Sequence, residues 1–327
     1  MDQPQKILKV LKQAKRILIP LHVNVDGDSV GSALALQLLL ETWGKKVNVV
    51  SVDPVPANLL FLSRAKKIRK IDPADLDLRK YNLLLITDIS NLSRLSRKEG
   101  FQLSPEIKTI NIDHHPSGAE KLIDLKYVDP NASSTAELLF DLMKQWKVKL
   151  TPEIAQCLLT GIITDTGCFQ YASTTPEVLE KSAELIHLGA NREEIVFNIY
   201  RSWPLPVLSL WATLLNNAKL KDSILYTTLS RQEQKRLKID HANLSTARSY
   251  AASELLRAIK GTEAAAIFTD EGEKIHVNLR SRAEFDVGKI AETLGGGGHS
   301  NSAAFDFQGK MKEAIEKTTE LVERVLK

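Results

Sequence analysis

Four acidic segments of this chain follow apolar runs, and their residue types can hold divalent metal ions. The segments are His22 with Asp26 and Asp28, then Asp88, then Asp113-His114-His115, and finally Asp165. Open α/β sheets collect their ligand sites at the carboxyl ends of strands, so four such segments indicate one site assembled from distant parts of the chain. Carboxylates and imidazoles without thiolates favour Mn²⁺ or a similar metal over structural zinc.

The chemistry that such a site supports is the cleavage of phosphoesters. Two divalent metals about 3.5–4 Å apart can activate water and clamp the attacking and leaving oxygens. A metal pair needs a carboxylate that bridges it, and it needs ligands that arrive from several directions. The candidate ligands are His22, Asp26, Asp28, Asp88, His114 and Asp165.

Each segment also has an ordinary structural explanation when it is taken alone. Asp26-Gly27-Asp28-Ser29 has the composition of a turn followed by a helix cap, and Asp165-Thr166-Gly167 has that of a turn. Asp88 would cap a strand end, and the two histidines would be surface residues. Chance does not readily place all four segments at strand ends, so a shared metal site is the better interpretation.

The elements that would position these residues alternate between strand and helix in the first half of the chain. Apolar runs typical of strands lie at 17–21, 46–52, 82–88, 108–113 and 158–164. The spacing of apolar residues predicts helices over 30–43 and 133–146. This alternation predicts an α/β fold with a parallel sheet and helices on both faces.

Helix starts are marked by Ser/Thr-Pro-Glu triplets at 104–106, 151–153 and 175–177. Each triplet offers a capping hydroxyl, a proline that the first helical position tolerates, and an acid in the positive first turn. The third of these helices should stop at Gly189. Beyond it the chain reads as helical, with a break at Trp203-Pro204-Leu205-Pro206.

The length of 327 residues exceeds that of an ordinary single core and indicates two domains. We predict a metal-binding catalytic domain over 1–189, a helical connector over 190–222, and a smaller α/β domain over 223–327 that binds substrate across a cleft. The expected strands of the second domain lie at 224–229, 264–268 and 274–279, with helices near 246–260 and 311–326.

The composition is that of an ordinary globular protein, with 43% hydrophobic and 26% charged residues. A net charge of +4 mildly favours anionic partners. No apolar run has the length of a membrane span, and Met1–Lys6 lacks the layout of a signal peptide. Cys157 and Cys168 are too few for a disulfide framework, which predicts reduced thiols and a cytoplasmic location.

The four acidic segments resemble, in order, the four motifs of the DHH phosphoesterase superfamily. The matching stretches are His22 to Ser32, Asp88, Asp113-His114-His115 and Thr164 to Gly167. The second domain resembles the DHHA1 domain of this family through Asn278 to Arg282 and through Gly295 to His299. Length and domain order are most similar to those of the NrnA-type oligoribonucleases, which also act as phosphatases on 3′-phosphoadenosine 5′-phosphate.

The resemblance implies two metal positions that share Asp88. One would be held by His22, Asp26 and Asp88, and the other by Asp28, Asp88, His114 and Asp165. Asp113 would orient a histidine, as carboxylates commonly do around metals. His115 would face the phosphate and assist the leaving oxygen, so Asp113 and His115 are the candidate catalytic residues.

In the second domain the resemblance implies a surface that binds a nucleotide. The candidate substrate-binding residues are Arg280, Ser281, Arg282, Gly296, Gly297, Gly298 and His299. Arginine offers phosphate a bidentate fork, and glycines let a ligand approach the backbone closely. Without the resemblance, the same residues would be a solvated strand face and a flexible loop.

Two positions depart from the family pattern. Ser302-Ala303-Ala304 stands where the glycine-histidine signature usually continues as Ala-Ala-Gly, and Asn278 stands where the family often has serine. Because small residues replace small ones, we expect the fold to be unaffected. The departures bear instead on substrate preference and turnover.

The resemblance predicts a phosphodiesterase that uses two divalent metal ions, with Mn²⁺ expected. It would hydrolyse short RNA oligonucleotides to 5′-mononucleotides and also dephosphorylate 3′-phosphoadenosine 5′-phosphate. Its partners would be short RNA or nucleotide phosphates and no membrane, and a homodimer is one assembly left open. No aromatic-rich strip for stacking a long single strand is evident, which argues against a processive exonuclease.

Other functions remain open on the sequence alone. A phosphodiesterase of cyclic dinucleotides, or of their linear products, would carry the same metal motifs. A manganese pyrophosphatase shares the first domain, although the signature from Gly295 to His299 speaks against it. A non-catalytic nucleotide-binding protein is the alternative from another class, and the intact set of metal ligands argues against it.

Overall fold

The chain divides into two compact units, Met1–Ser202 and Trp203–Lys327. The computed structural model describes residues 2–89, 91–98, 100–115, 123–221, 223–282 and 285–326, without the side chains of residues 241, 242, 299 and 326. The division between the units falls inside the segment 190–222. No helix of these described ranges is long and apolar enough to cross a membrane.

The first unit is built on a six-stranded sheet in which all strands run parallel. Its strands are β1 (Arg16–Pro20), β2 (Lys46–Ser51), β3 (Arg69–Lys70), β4 (Leu83–Thr87), β5 (Lys108–Asp113) and β6 (Leu125–Val128). They lie in the order β3-β2-β1-β4-β5-β6. Every residue of β4 is buried, as expected for a central parallel strand covered on both faces. The predicted parallel sheet is confirmed.

Helices of the first unit pack mainly on one face of this sheet. They are α1 (Gln3–Gln13), α2 (Gly27–Thr42), α3 (Thr135–Gln145), α4 (Pro152–Asp165), α5 (Pro176–His187) and α6 (Arg192–Val196). The largest core forms between these helices and side chains such as Ile17 and Leu83. On the other face, Leu18 and Leu84 pack against the short 3-10 helices Leu78–Lys80 and Leu92–Leu95. In the described residues, this second layer is thinner than the sequence suggests.

The apolar run 158–164, which the sequence suggests as a strand, lies in a helix. It forms the second half of α4, which begins after the capping residue Thr151. All of the run except Thr164 is buried, so the run itself has no polar face that would reveal a helical period. A buried helical segment of this length cannot be told from a buried strand by periodicity. Asp165 therefore lies at the end of a helix.

Two of the three proline triplets begin helices. Thr151 and Thr175 cap α4 and α5, and each threonine side chain accepts a hydrogen bond from the first turn. Ser104-Pro105-Glu106 forms only a turn, because β5 begins immediately beyond it at Lys108. The prediction of a helix at 104–106 is wrong.

Two glycines let α2, α3 and α4 approach one another closely. A methyl group on Gly31 would lie 2.4 Å from the carbonyl oxygen of Cys157. One on Gly161 would lie 2.5 Å from Asp28 Oδ1 and 2.6 Å from the Cβ atom of Ala136. The helices would have to separate to admit either side chain. These contacts bring the carboxyl-terminal half of α4 against Asp28.

The second unit contains a separate six-stranded sheet. Its strands are β7 (Lys219–Lys221), β8 (Ile224–Leu229), β9 (Ala264–Asp270), β10 (Lys274–Ser281), β11 (Gly297–His299) and β12 (Ser302–Gln308). They lie in the order β11-β12-β10-β9-β8-β7, and only β8 and β9 pair in parallel among the described strands. The helices are α7 (Pro206–Asn216), α8 (Arg231–Leu237), α9 (His241–Tyr250) with a π-helical continuation at Ala251–Leu256, α10 (Val287–Thr293) and α11 (Met311–Leu326).

The two faces of this second sheet differ in polarity. One face packs Val277, Leu279 and Phe305 against α10 and α11 in a continuous apolar core. The opposite face is apolar only over β8 and β9, where α7 and α9 pack. Over β10, β11 and β12 this opposite face carries polar or small residues, here called the polar face: His276, Asn278, Arg280, Gly297, Ser302 and Ala304.

Candidate active site

The six predicted metal ligands lie close together in the first unit. His22, Asp26 and Asp88 form one group, and Asp28, His114 and Asp165 form another; within each group the candidate ligand atoms lie within 4.8 Å of one another. Asp88 also reaches the second group, because its Oδ1 lies 3.5 Å from His114 Nε2. Asp88 therefore lies where a carboxylate could serve both groups.

His22 points one ring nitrogen at two carboxylates. It follows the end of β1, and its Nε2 lies 3.4 Å from Asp26 Oδ2 and 3.3 Å from Asp88 Oδ2. Its Nδ1 lies 2.8 Å from the carbonyl oxygen of Val23. A backbone carbonyl at one nitrogen fixes the ring and leaves the other nitrogen available to a metal.

Asp26 has both a structural and a candidate metal-binding role. Its Oδ1 accepts a hydrogen bond of 3.0 Å from the backbone N–H of Ser29, which caps α2. Its Oδ2 is the oxygen that faces His22. The ordinary explanation of this segment as a helix cap and its interpretation as a ligand are thus compatible, because each uses a different oxygen.

Asp28 is fully buried and is held by the first turn of α3. It accepts hydrogen bonds from the backbone N–H groups of Thr135 at 2.7 Å and Ala136 at 2.9 Å. The hydroxyl of Ser32 donates a third at 3.2 Å. The positive end of a helix favours an anion, so the first turn of α3 opposes the effect of burial on this carboxylate.

The second group is completed by residues that follow a strand and a helix. His114 directly follows β5, and its Nε2 lies 3.2 Å from Asp165 Oδ2 at the end of α4. Its Nδ1 lies 3.3 Å from the carbonyl oxygen of Ala132. The ring orientation repeats that of His22, with a carbonyl at Nδ1 and carboxylates at Nε2.

Asp88 occupies a turn directly after β4 and has a left-handed backbone with φ 59°. Aspartate tolerates this region better than most residues do. Its N–H donates to the carbonyl oxygen of Ile112 in the neighbouring strand at 3.1 Å. The turn is thereby fixed, and the carboxylate is directed into the cluster.

The pKa values of the carboxylates in the cluster are shifted in different directions. Burial raises the pKa of Asp28 well above its usual value, and the negative charges of Asp88 and Asp165 raise it further. Burial also raises the pKa of Asp165 to about 6. Burial would raise the pKa of Asp88 too, but hydrogen bonds from His114 and His22 hold it well below its usual value.

The histidines of the cluster carry the balancing charge. Burial lowers the pKa of His22, but the carboxylates of Asp26 and Asp88 outweigh it and raise that pKa to about 10. The pKa of His114 rises to about 12 in the same way, because Asp165 and Asp88 outweigh burial. A divalent cation supplies the same positive charge to the carboxylates and releases these protons. The donor set therefore fits divalent metal ions.

Asp113 orients His115. Asp113 is fully buried, and its Oδ1 lies 2.7 Å from His115 Nδ1 and accepts the backbone N–H of His115 at 3.1 Å. The His115 ring contacts the His114 ring edge-on, with centroids 4.6 Å apart. Asp88 Oδ1 lies 3.6 Å from His115 Nδ1. The two candidate catalytic residues thus adjoin the cluster of candidate metal ligands, and their catalytic role stays a prediction.

Two further residues contact the cluster, and no motif in the sequence indicates them. The hydroxyl of Thr135 donates to Asp88 Oδ1 at 3.4 Å, while its N–H binds Asp28, so Thr135 contacts both groups. Arg94 Nη2 lies 3.1 Å from His22 Nδ1. A capping signal before the helix at 133–146 could have drawn attention to Thr135, but no motif connects Arg94 with His22.

In the second unit, Arg280 lies on the polar face and is held by serines from the helix above it. Its Nε donates to Ser253 Oγ at 2.8 Å and its Nη2 to Ser249 Oγ at 2.6 Å. Ser281 points the other way and is fully buried, and its hydroxyl donates to the backbone carbonyls of Phe285 and Ser300. Ser281 braces the end of β10, and substrate binding by it stays a prediction.

The second half of the glycine run belongs to the sheet. Gly297–His299 forms β11, and a methyl on Gly296 would lie 2.2 Å from the carbonyl oxygen of Ala304. One on Gly298 would lie 2.4 Å from that of Ser302. A methyl on Gly297 would meet nothing within 4 Å. Packing therefore requires glycine at Gly296 and Gly298, whereas Gly297 borders open space.

The remaining candidates of the second unit are only partly described. Arg282 is exposed just beyond β10, and its Nη2 donates to the carbonyl oxygens of Arg257 at 3.4 Å and Ile259 at 3.3 Å. The backbone of His299 lies in β11, but its side chain lies outside the described residues. Their proposed contacts with substrate stay predictions.

A parallel α/β unit with a candidate metal centre, followed by a second sheet with a polar face, defines the class of protein. The model of the DHH family, N-terminal domain, matches residues 16–162, and the model of the DHHA1 domain matches residues 221–327. The chain belongs to the DHH phosphoesterase family with a DHHA1 domain.

Relatives and a solved structure align over nearly the whole chain. The bifunctional oligoribonuclease and PAP phosphatase NrnA of Thermus thermophilus is 32% identical, covering 99% of this chain and 95% of that protein. The protein of the same name from Bacillus subtilis is 26% identical, covering 90% of each. An exopolyphosphatase-related protein from Bacteroides fragilis has a TM-score of 0.89 and 26% identity, covering 98% of this chain and 96% of that one.

Proposed function

We propose that this protein is a metal-dependent phosphoesterase that hydrolyses short RNA oligonucleotides to 5′-mononucleotides and also dephosphorylates 3′-phosphoadenosine 5′-phosphate. The observation that carries the proposal is the buried cluster of aspartates and histidines in which Asp88 adjoins two groups of ligand atoms. The choice of substrates is supported by the names of the relatives that align over at least 90% of the chain.

Two divalent ions are the proposed cofactors, with Mn²⁺ as the metal. Two groups of ligand atoms support two positions, and oxygen and nitrogen donors without a thiolate suit Mn²⁺. His22, Asp26 and Asp88 would hold one ion, and Asp28, Asp88, His114 and Asp165 the other. When bound, such a pair activates water and neutralises charge on the phosphoryl oxygens.

His115 is proposed to protonate the leaving oxygen. Asp113 holds His115 Nδ1 at 2.7 Å, which leaves Nε2 to face the substrate. Asp113 thus acts through His115.

The second unit is proposed to bind a nucleotide. Arg280 is positioned by Ser249 and Ser253 so that its planar guanidinium is preorganised for a phosphate. Gly297 borders open space, which lets a ligand approach the backbone. The other proposed contacts are Ser281, Arg282, Gly296, Gly298 and His299.

The alternative functions are less well supported. The aligned relatives are named for oligoribonuclease and PAP phosphatase activity, so a dedicated phosphodiesterase of cyclic or linear dinucleotides is not favoured. The intact ligand cluster argues against a non-catalytic nucleotide-binding protein. A homodimer and a cytoplasmic location stay predictions, the latter based on the expectation that Cys157 and Cys168 are reduced.

The test is hydrolysis of three substrates by the full-length protein. A 5′-labelled RNA dinucleotide, a long RNA and 3′-phosphoadenosine 5′-phosphate are incubated with Mn²⁺ and then with excess chelator. We expect chelator-sensitive mononucleotide from the dinucleotide, phosphate from the third substrate, and little product from the long RNA. Folded, metal-loaded protein that turns over none of them contradicts the proposal.

A further inference from the structure

Arg94 places a positive charge beside the candidate metal ligands of the first unit. Its Nη2 lies 3.1 Å from His22 Nδ1. No carboxylate in the described part of the chain pairs with Arg94, whereas Arg97, three residues further on, pairs with Asp53 at 2.9 Å. The Nε and Nη1 atoms of Arg94 make no hydrogen bond to any described residue and are not buried, so solvent reaches both. A ligand can reach the same atoms.

His22 cannot serve as the hydrogen-bond acceptor of this arginine. The carbonyl oxygen of Val23 lies 2.8 Å from His22 Nδ1, and a carbonyl oxygen only accepts, so Nδ1 bears a proton and donates it. The opposite tautomer would place the proton on Nε2, which faces Asp26 and Asp88 and is the atom that a metal would need. Because an arginine N–H group also only donates, two donors meet at Nδ1. The Arg94 guanidinium therefore lacks an acceptor among the described residues.

The backbone holds Arg94 in this position. Arg94 lies in the 3-10 helix Leu92–Leu95, and its carbonyl oxygen accepts a hydrogen bond of 2.8 Å from the N–H of Val23. Leu95 of the same helix is fully buried in the core on that face of the sheet. The turn that carries Arg94 is thus fixed to the segment that carries His22. A donor that is positioned beforehand needs no reorganisation when its acceptor arrives.

The charges of the cluster indicate that the missing acceptor is an anion. Four of the candidate metal ligands are carboxylates, and two divalent ions would balance their charge. Arg94 then adds a positive charge beside a neutral group of ligands. Phosphate oxygens are suited to such a group, because they can accept two parallel N–H bonds from the planar guanidinium.

We propose that Arg94 binds the phosphoryl group that is cleaved at the metal site. The inference rests on the proposed function and adds to it a hydrogen-bond donor that the carboxylate ligands cannot supply. N–H groups directed at a phosphoryl group stabilise the charge that develops on its oxygens during the reaction. Because Arg94 would contact the reacting group itself, its loss should affect every phosphoester that the site cleaves by a similar factor.

The kinetic test compares wild-type protein with Arg94→Gln and Arg94→Lys on an RNA dinucleotide and on 3′-phosphoadenosine 5′-phosphate, with Mn²⁺. We expect Arg94→Gln to lower kcat/KM for both substrates by about 10- to 100-fold. Arg94→Lys should recover part of the loss, since it keeps the charge but not the fork. Arg79→Gln is the matched control, because Arg79 is exposed in the same unit and pairs with Asp77. Wild-type activity in Arg94→Gln, or a loss confined to one substrate, would overturn the inference.

The affinity for Mn²⁺ distinguishes phosphate binding from a structural role of Arg94. If Arg94 only held the His22 ring in place, its loss would weaken Mn²⁺ binding. The inference predicts unchanged or tighter binding, because glutamine removes a positive charge beside the cation. Calorimetric titration of Mn²⁺ into wild-type protein and Arg94→Gln provides the measurement. Weaker binding by Arg94→Gln would contradict the inference.

Binding of inorganic phosphate tests the inference without turnover. Phosphate is titrated into Mn²⁺-loaded Arg280→Ala protein, which removes the arginine proposed to bind phosphate in the second unit, and into the double variant that also carries Arg94→Gln. We expect the second substitution to raise the dissociation constant by about tenfold. If folded, metal-loaded wild-type protein cleaves neither substrate, the proposed function fails and this titration alone decides the inference. An unchanged dissociation constant, or phosphate that binds neither protein, refutes it.

Discussion

The cluster of candidate metal ligands in the first unit and the polar face of the second unit differ in the partners of their polar side chains. In the cluster, charged residues contact one another: His22 lies between Asp26 and Asp88. On the polar face, Arg280 is held by neutral serine hydroxyls, and Asn278 Oδ1 has no partner among the described residues. The cluster is therefore a mutually dependent group, whereas Arg280 on the polar face is supported separately, by neutral groups.

This difference determines how each region should respond to substitution. Residues of one network couple, so the loss of one changes the position and protonation of the others. Residues with separate supports should contribute more nearly independently. The comparison predicts severe, broad effects in the cluster and smaller, specific effects on the polar face.

Asp88→Asn is the substitution with the largest expected effect. It removes the carboxylate charge that adjoins both groups while it keeps the volume and the left-handed turn. We expect kcat/KM for an RNA dinucleotide with Mn²⁺ to fall by more than about a thousandfold. The melting temperature without metal checks that the fold is retained.

Asp129→Asn is the matched control for Asp88→Asn, because Asp129 is exposed directly after β6 and is not one of the candidate metal ligands. It should leave activity within about twofold of wild type. A folded Asp88→Asn protein with activity within tenfold of wild type would refute the view of the cluster as one dependent group.

Arg280→Ala should have a smaller and more specific effect. Loss of a charged hydrogen-bond donor should raise KM for a dinucleotide by about 10- to 100-fold and lower kcat only a few-fold. Arg280→Lys should recover part of the loss, since it keeps the charge but not the fork. The exposed Arg236→Ala is the control. An equal fall in kcat and kcat/KM would contradict this, because it would show a broad effect like that expected for the cluster of candidate metal ligands.

Metal affinity should rise with pH, by up to about tenfold per pH unit for each proton displaced. His22 and His114 have pKa values raised to about 10 and about 12, so near neutral pH both rings bear a proton that coordination must remove. Titrations of Mn²⁺ at pH 7 in two buffers of different ionisation enthalpy measure this release. At least one proton per ion is expected, and identical heats in the two buffers would contradict it.

Thr135→Val should have the smallest effect. Valine keeps the shape and the N–H that binds Asp28, but it loses the hydroxyl that donates to Asp88 at 3.4 Å. Because that hydrogen bond is long, we expect Mn²⁺ affinity to fall by less than about tenfold, and Thr135→Ser should restore it. Calorimetry on the three proteins provides the measurement. Unchanged Mn²⁺ affinity in Thr135→Val would show that the hydroxyl does not contribute to metal binding.

The sequence correctly indicated that the candidate site residues that directly follow strands lie close together. Parallel strands share a carboxyl edge, so the motifs after β1, β4 and β5 had to meet once the sheet was predicted. Asp165 reaches the cluster at the end of a helix, because the run 158–164, which has the composition of a strand, forms the second half of α4 and is buried apart from Thr164. A buried helix leaves no periodic polar face in the sequence, and only packing identifies it.

The supports of the site were not predictable, because they depend on contacts between distant segments. Thr135 reaches Asp28 and Asp88 only when α3 packs beside α2. Likewise, Ser249 and Ser253 hold Arg280 only when α9 and its continuation lie over β10. Hydroxyls are common at helix ends and surfaces, so their spacing alone carries no such information.

The close contact of α2 with α4, at Gly31 and Gly161, has a consequence for biosynthesis. α2 is made early, but its glycine face has nothing to pack against until α4 leaves the ribosome. Domains fold as units during synthesis, so the nascent chain should acquire its metal late, after the residues up to Asp165 have emerged. A polypeptide stalled before α4 should therefore expose carboxylates that bind Mn²⁺ no better than an unfolded chain does.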